Sequence, residues 1–390
     1  MDWIKNLGLN ILLIGVSSFV ALLCVEGILR FTSFSKLLPY EGVPQHYYTK
    51  SRGAGYDISK SFASSTHRFK DGSYTIWSNE FGCFDVPYHG EKEYSLLVGD
   101  SFAWGFTAFP DKWGTQLETL LGERILKCGV PGYGTRQELA KAESVLSVHK
   151  KPTRIILSYF SNDEGDDASF PNSLVHEGKL IKNLSNDPAL SYDELESRLP
   201  QFAKWAEEYC MWNMPAHPAL QRVKCYLRRH SIVYLLSQSG IKNIIPMDFL
   251  KRLGVVNEEP AVAAVATVGN GAHFGNVVAF NSLAGTYGSK LLVVLIPSRE
   301  DTYSTATTSS YKEIKEALDK ERIPFIDPRD DFRRIAVATS SPLYWKEDLH
   351  LNEKGNHLLG YLVARYIAET QGDAQLVKTV FDRMSREFGM

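Results

Sequence analysis

Four short apolar runs alternating with helical periodicity constrain this chain more than any other feature of its 390 residues. They are Tyr94-Ser-Leu-Leu-Val-Gly99, Arg154-Ile-Ile-Leu-Ser-Tyr-Phe160, Lys290-Leu-Leu-Val-Val-Leu-Ile296 before Pro297, and Ile323-Pro-Phe-Ile-Asp327. Helical patterns lie between and after them, at Trp113 to Leu121, Tyr311 to Lys320 and Lys354 to Thr370. Runs of this length, apolar at every position, predict strands buried on both faces, and their alternation with helices predicts a parallel sheet covered on both sides. The expected fold class is therefore α/β. At about 150 residues per domain the length allows two or three domains, but one such domain with insertions absorbs it equally well.

A second feature is independent of the sheet. From Asn6 to Val25 there is no charge, and Ile11 to Val25 is interrupted only by Gly15, Ser17 and Ser18. Roughly 20 residues is the length a helix needs to cross a bilayer. A cleaved signal peptide and a buried core helix compete with this reading, but no small-x-small signal precedes Glu26, so residues 1–31 are expected to be a single-span anchor. Leu23 before Cys24 argues against lipoprotein processing. Lys5 precedes the span while Arg30, Lys36, Lys50 and Arg52 follow it, which gives no clean orientation. Glu26 reads as an interfacial residue close to Arg30.

Composition narrows the function classes. Lys and Arg number 43 against 45 Asp and Glu, so no global charge favours a polyanion, and no nucleic-acid partner is expected. The five cysteines, Cys24, Cys83, Cys128, Cys210 and Cys225, are too few for a disulfide framework and leave at least one unpaired in a monomer. No CxxC or HExxH spacing is present; His217, His230 and His273 read as surface or packed residues.

Residues 32–90, rich in Tyr, Ser and Gly, read as irregular structure and short strands packed on a larger body. The main domain is expected over 91–375, with a helical insertion at about 170–288 and a helical tail at 376–390. Within the insertion, Asp193 to Tyr209, Ala219 to Gln238 and Phe274 to Tyr287 have helical character, and Pro260 to Gly271 reads as a connection. Its tryptophans Trp205 and Trp212, and the basic cluster Arg222, Lys224, Arg228, Arg229 and His230, suit a lid, a membrane-facing surface or helices covering the sheet.

Four blocks carry chemistry. Gly99-Asp-Ser-Phe-Ala-Trp-Gly105 places Ser101 between a strand and a helix, and Gly129-Val-Pro-Gly-Tyr-Gly134 precedes Thr135-Arg-Gln137. Ser161-Asn162-Asp163 ends the second strand, and Asp348-Leu-His350-Leu-Asn-Glu-Lys-Gly355 precedes the last helix. The carboxyl end of a parallel strand opens to a ligand crevice, and amides there can donate to an oxyanion. Each block is modest alone; together, in this order, they resemble the Ser-Gly-Asn-His (GDSL-type) hydrolase superfamily, specifically its membrane-anchored bacterial branch.

That resemblance implies a three-layer α/β/α, flavodoxin-like fold with Ser101 as nucleophile and His350 as base. The Ser101 amide, the Gly132 amide and the Asn162 side chain would form the oxyanion hole. The orienting acid is Asp348 or Glu347, with Asp348 favoured by the Asp-x-His-Leu-Asn pattern; spacing alone leaves both open. Lys127 stands where the superfamily usually carries a loop-buttressing Asn. Gly132 is expected to allow close backbone approach and Gly134 to serve the turn. Asp100 and Asp163 are expected to bond turn amides, Glu164, Asp166 and Asp167 to lie in a solvated loop rather than bind a metal, and Asn79-Glu-Phe-Gly82 to be structural. Phe102, Trp104 and Phe106 read as core.

The implied activity is that of a serine esterase acting on an O-acyl ester through an acyl-serine, with no cofactor. Two alternatives stand beside it. One is an O-acyltransferase modifying an envelope polysaccharide or glycan, partnered by a multi-spanning membrane acyltransferase; the other is a non-enzymatic anchored scaffold or assembly protein. The resemblance places the domain outside the cytoplasm, in the periplasm.

Overall fold

The computed structural model describes residues 2–32, 34, 42–91, 93–148, 151–171, 173–182, 184, 190–208, 219–237, 272–304, 309–339 and 341–389. Cys210, Trp212, His217 and the Pro260–Gly271 connection lie outside these residues, as do Lys36, Gln238 and the Trp205 side chain. The chain divides into two units, Gly42–Leu199 with Ala264–Met390 and Met1–Glu41 with Pro200–Ala263.

In the first unit, four antiparallel strands precede the sheet: β1 (Tyr48–Ser51) pairs with β2 (Gly55–Ile58), and β3 (Ser65–Phe69) with β4 (Gly72–Ile76). The sheet comprises β5 (Tyr94–Gly99), β6 (Arg124–Lys127), β7 (Arg154–Tyr159), β10 (Lys290–Leu295) and β11 (Phe325–Ile326). A small hairpin, β8 (Leu174–His176) with β9 (Lys179–Ile181), lies between β7 and β10 in the chain. The five sheet strands are parallel in the order β11-β10-β7-β5-β6.

Alternation along these strands builds two cores. Leu97, Ile156, Leu292 and Val294 face one layer, where helices Trp113–Leu121, Arg329–Thr339, Glu353–Gln371 and Ala374–Phe388 supply Leu117, Phe332, Leu358, Leu362 and Met384. Leu96, Val98, Ile155, Leu157, Val293 and Leu295 face the other, against helices Thr135–Leu146, Ala272–Tyr287 and Ser309–Glu321. Successive side chains point to opposite faces, so a strand apolar at every position needs two covering layers. Each fully buried Leu or Ile stabilises the fold by about 1.5–3 kcal/mol. The strand β6, the helix Thr135–Leu146 and the helix Arg329–Thr339 were not anticipated, and the last helix pair includes a longer terminal helix than the tail from 376, since it starts at Ala374.

The segment before the sheet carries its short strands as two hairpins. Its hairpins contribute Tyr47, Tyr56, Ile58 and Ile76 to a third core with Phe84, Trp104, Val130 and Tyr133. Trp104 Nε1 donates to Tyr47 Oη at 2.8 Å. A disulfide between Cys83 and Cys128 ties this segment to the end of β6. Asn79 has the structural part expected of it: its Oδ1 accepts the Phe81 and Cys83 amides at 3.0 and 3.1 Å. Lys127 forms an ionic buttress, since its buried ammonium lies 2.6 Å from Glu118 and 3.2 Å from Asp85, both shared with Arg124.

The second unit contains the helix Asp2–Arg30, of which Gly8–Arg30 has a mean hydropathy of 2.4 with none of its apolar window buried. That helix is long and apolar enough to cross a membrane. Glu26 is not merely interfacial. Its carboxylate accepts Ser231 Oγ at 2.9 Å and the Ile232 and Val233 amides at 3.1 Å, capping the helical turns at 232–237. The helix expected from Ala219 to Gln238 is thereby split, ending first at His230.

Candidate active site

Each site residue arises at an element end. Ser101 is the first residue of the short helix Ser101–Trp104 immediately after β5, and Asp100 caps that helix by accepting the Phe102 amide at 2.8 Å. Asp100 Oδ2 also accepts Ser101 Oγ at 3.3 Å. His350 lies two residues before Asn352, which caps the helix Glu353–Gln371 through the Gly355 amide at 3.0 Å and donates to Pro342 O at 2.8 Å. The tertiary fold thus brings together residues 249 positions apart: His350 Nε2 lies 2.7 Å from Ser101 Oγ.

On the other side of the ring, His350 Nδ1 contacts Asp348 Oδ1, which also accepts the His350 amide at 2.9 Å. Asp348 rather than Glu347 therefore faces the histidine. Burial pushes the Asp348 carboxyl up, but the hydrogen bond and charge of His350 outweigh it and hold the carboxyl below its ordinary value. Ser101 is 8% exposed, so the residue is largely enclosed.

Gly132 has φ of +82°, a conformation strained for any residue with a Cβ. Gly134 acts differently from expectation: its φ is ordinary, and a Cβ there would sit 2.5 Å from Asp167 Oδ1. It is close packing that excludes a side chain. Asn162 precedes the short helix Asp163–Ala168, and its Nδ2 donates to Asp166 Oδ2 at 2.9 Å.

The acidic group expected in a solvated loop is instead on that helix and largely engaged. Asp167 accepts the Arg136 amide at 2.9 Å and Asn276 Nδ2 at 3.2 Å, and Asp163 accepts the Phe160 amide at 3.0 Å. Burial, the Asp100 charge and Asp167 push Asp166 up to about 7, against the pull of Lys182. Burial pushes Asp163 and the fully buried Glu138 well above the ordinary range; the Glu138 and Asp100 charges add to it at Asp163, and the Asp100, Asp167 and Asp166 charges add to it at Glu138. Among the described residues no group of His, Cys, Asp and Glu is arranged to hold a metal ion.

Three contributors escaped the sequence. Phe106 is not core alone: its ring lies parallel to the His350 imidazole with centroids 3.9 Å apart, and the Phe102 ring is 4.9 Å away on a tilted plane. Asp71, in the β3–β4 turn, accepts the Asp348 amide, and Lys182 reaches Gly132 from the end of β9. The Asp71-Gly72 dipeptide signals a turn, but nothing local reveals what that turn touches.

The sequence resemblance to the Ser-Gly-Asn-His (GDSL-type) hydrolases is accompanied in the structure by a parallel five-stranded sheet between two helical layers, a serine-led turn after β5 and the Ser101–His350–Asp348 line. No family model and no curated protein matches the chain. Among solved structures it is similar to a catalytic mutant of an acetylxylan esterase from Geobacillus stearothermophilus, at 13% identity over 72% of this chain and 94% of the other, with a TM-score of 0.37. It is also similar to a member of the lipolytic protein G-D-S-L family from Veillonella parvula, at 10% identity over 70% and 96%, with a TM-score of 0.36.

Proposed function

We propose that the chain is a serine esterase that cleaves an O-acyl ester through an acyl-Ser101 intermediate. The observation that carries this reading is the continuous line from Ser101 Oγ through His350 Nε2 and Nδ1 to Asp348. In this mechanism His350 takes the Ser101 proton as Oγ attacks the ester carbonyl, and Asp348 fixes the ring and stabilises the imidazolium. The Ser101 and Gly132 amides and the Asn162 side chain donate to the oxyanion. His350 then returns the proton to the departing alkoxide, and a water activated by the same imidazole releases the acyl group.

Transfer of the acyl group to a carbohydrate hydroxyl is the second reading, with a multi-spanning membrane protein supplying the acyl group. The apolar helix Gly8–Arg30 favours it, because it would anchor the chain to a membrane. The buried Cys83–Cys128 disulfide supports an extracytoplasmic, periplasmic site, since such bonds persist in oxidising compartments.

The test is fluorophosphonate labelling of the detergent-solubilised protein, with the modified peptide identified by mass. An adduct on Ser101, absent in Ser101→Ala and His350→Ala, is the expected result; a folded wild type that takes no label would point to the scaffold instead. Product analysis with and without a glycan acceptor separates esterase from transferase.

A further inference from the structure

Lys182 directly follows β9, and that hairpin carries its ammonium to the backbone of Gly132: a Cβ on Gly132 would lie 2.7 Å from Lys182 Nζ. We propose that Lys182 forms an anion subsite beside the oxyanion hole, selecting esters that carry a negative group close to the scissile bond. The inference rests on the esterase reading and names its substrate class.

Three observations support it. A lysine serving as a structural counter-ion sits in contact with a carboxylate, yet Lys182 makes no hydrogen bond or ion pair among the described residues. The acids that act on it through space are already occupied: Asp166 holds Asn162, and Asp100 holds the Phe102 amide and Ser101 Oγ. The titratable groups flanking Asn162, namely Asp163, Glu164, Asp166 and Asp167, are all acidic and none of them attracts an anion, so a cation here decides whether an anionic ester is admitted. The absence of a side chain at Gly132 leaves the ammonium its room. Tyr56 Oη, whose proton goes to Pro131 O at 2.9 Å, is the other group beside it, 3.0 Å from the same Cβ position.

The experiment compares three esters on the full-length solubilised protein: neutral 4-nitrophenyl acetate, 4-nitrophenyl hemisuccinate with its anion in the acyl part, and 4-acetoxybenzoate with its anion in the alcohol part. Turnover of the neutral ester by the wild type tests the esterase reading on its own. Given that turnover, the ratio of kcat/KM for anionic over neutral ester should fall about tenfold in Lys182→Ala, more in Lys182→Glu, and stay within about threefold in Lys182→Arg. The wild-type ratio should also fall as salt is raised. A drop confined to one anionic ester identifies the side on which the anion binds. An unchanged ratio in Lys182→Ala, or a parallel loss for all three esters, overturns the proposal.

Discussion

Asp71 Oδ2 accepts the Asp348 amide at 2.8 Å, and both Asp71 oxygens accept the Glu347 amide at 3.1 Å, so a hairpin turn from the first quarter of the chain clamps the loop that carries Asp348. Freed of that clamp, Asp348 and His350 would drift from Ser101, and displacements near 1 Å cost on the order of 100-fold in rate. Asp71→Ala is expected to lower kcat by about 10- to 100-fold with little change in KM, while Asp71→Asn, which keeps one acceptor, recovers most of it. Ester kinetics beside thermal unfolding would check this; an unaltered kcat would remove Asp71 from the positioning of the site.

The Phe106 ring stacks on His350 while its carbonyl accepts Trp345 Nε1 at 3.0 Å, and its φ of +26° marks a backbone held in place by these contacts. An aromatic contact of this kind contributes about 1 kcal/mol. Phe106→Ala should therefore slow turnover by about fivefold or more, whereas Phe106→Tyr should remain near wild type. Equal rates for the alanine variant and wild type would contradict a role for the stack.

Asn162 Nδ2 donates to Asp166 and the Asn162 side chain also hydrogen-bonds Asp100, so donation to an oxyanion would exchange one of these bonds. Loss of one oxyanion donor typically costs about 100- to 1000-fold in kcat, and Asn162→Ala should fall in that range on an activated acetyl ester. A rate within a factor of two of wild type would exclude Asn162 from the oxyanion hole.

Asp166 links the site to pH. Its folded value of about 7 is raised by burial and by Asp100, above the ordinary carboxylate value it would have in the unfolded chain. The folded state therefore holds a proton that the unfolded state releases, and the stability this contributes is full below about pH 4 and lost as pH rises through about 7. Asp166→Asn cannot lose that proton. Urea unfolding at pH 5 and pH 8 should show the wild type losing on the order of 2 kcal/mol more than the variant, and a common pH response would refute the assignment.

The Cys83–Cys128 bond closes a loop across a sequence separation of 45 and joins the segment before the sheet to β6. The chain-entropy relation assigns such a bond about 4 kcal/mol, and measured values cluster at about 2–4 kcal/mol. The Cys83→Ala, Cys128→Ala double variant should unfold at correspondingly lower denaturant, and dithiothreitol should shift the wild type more than the variant, in which Cys225 is still disulfide-bonded. If the reductant moves both proteins equally, this bond is not the source of the effect.

The sequence by itself determined the sheet and the order of the chemical blocks. Periodicity is local, so Leu96 to Val98, Ile155 to Leu157 and Leu291 to Leu295 announce doubly buried strands without knowledge of their neighbours. The resemblance supplied Ser101, Gly132, Asn162 and His350 because their blocks are contiguous. The strand β6 was missed because Arg124-Ile-Leu-Lys127 has only two apolar residues, and its lysine is buried by ion pairs that no periodicity signals. Asp348 and Glu347 could not be separated along the chain; the choice depends on where Asp71 holds their amides. The Phe106 stack, the Glu26 cap and the approach of Lys182 to Gly132 are likewise through-space relations. Local patterns fix what each segment becomes, whereas hydrogen bonds, ring contacts and charges between residues distant in the chain exist only once the segments have packed.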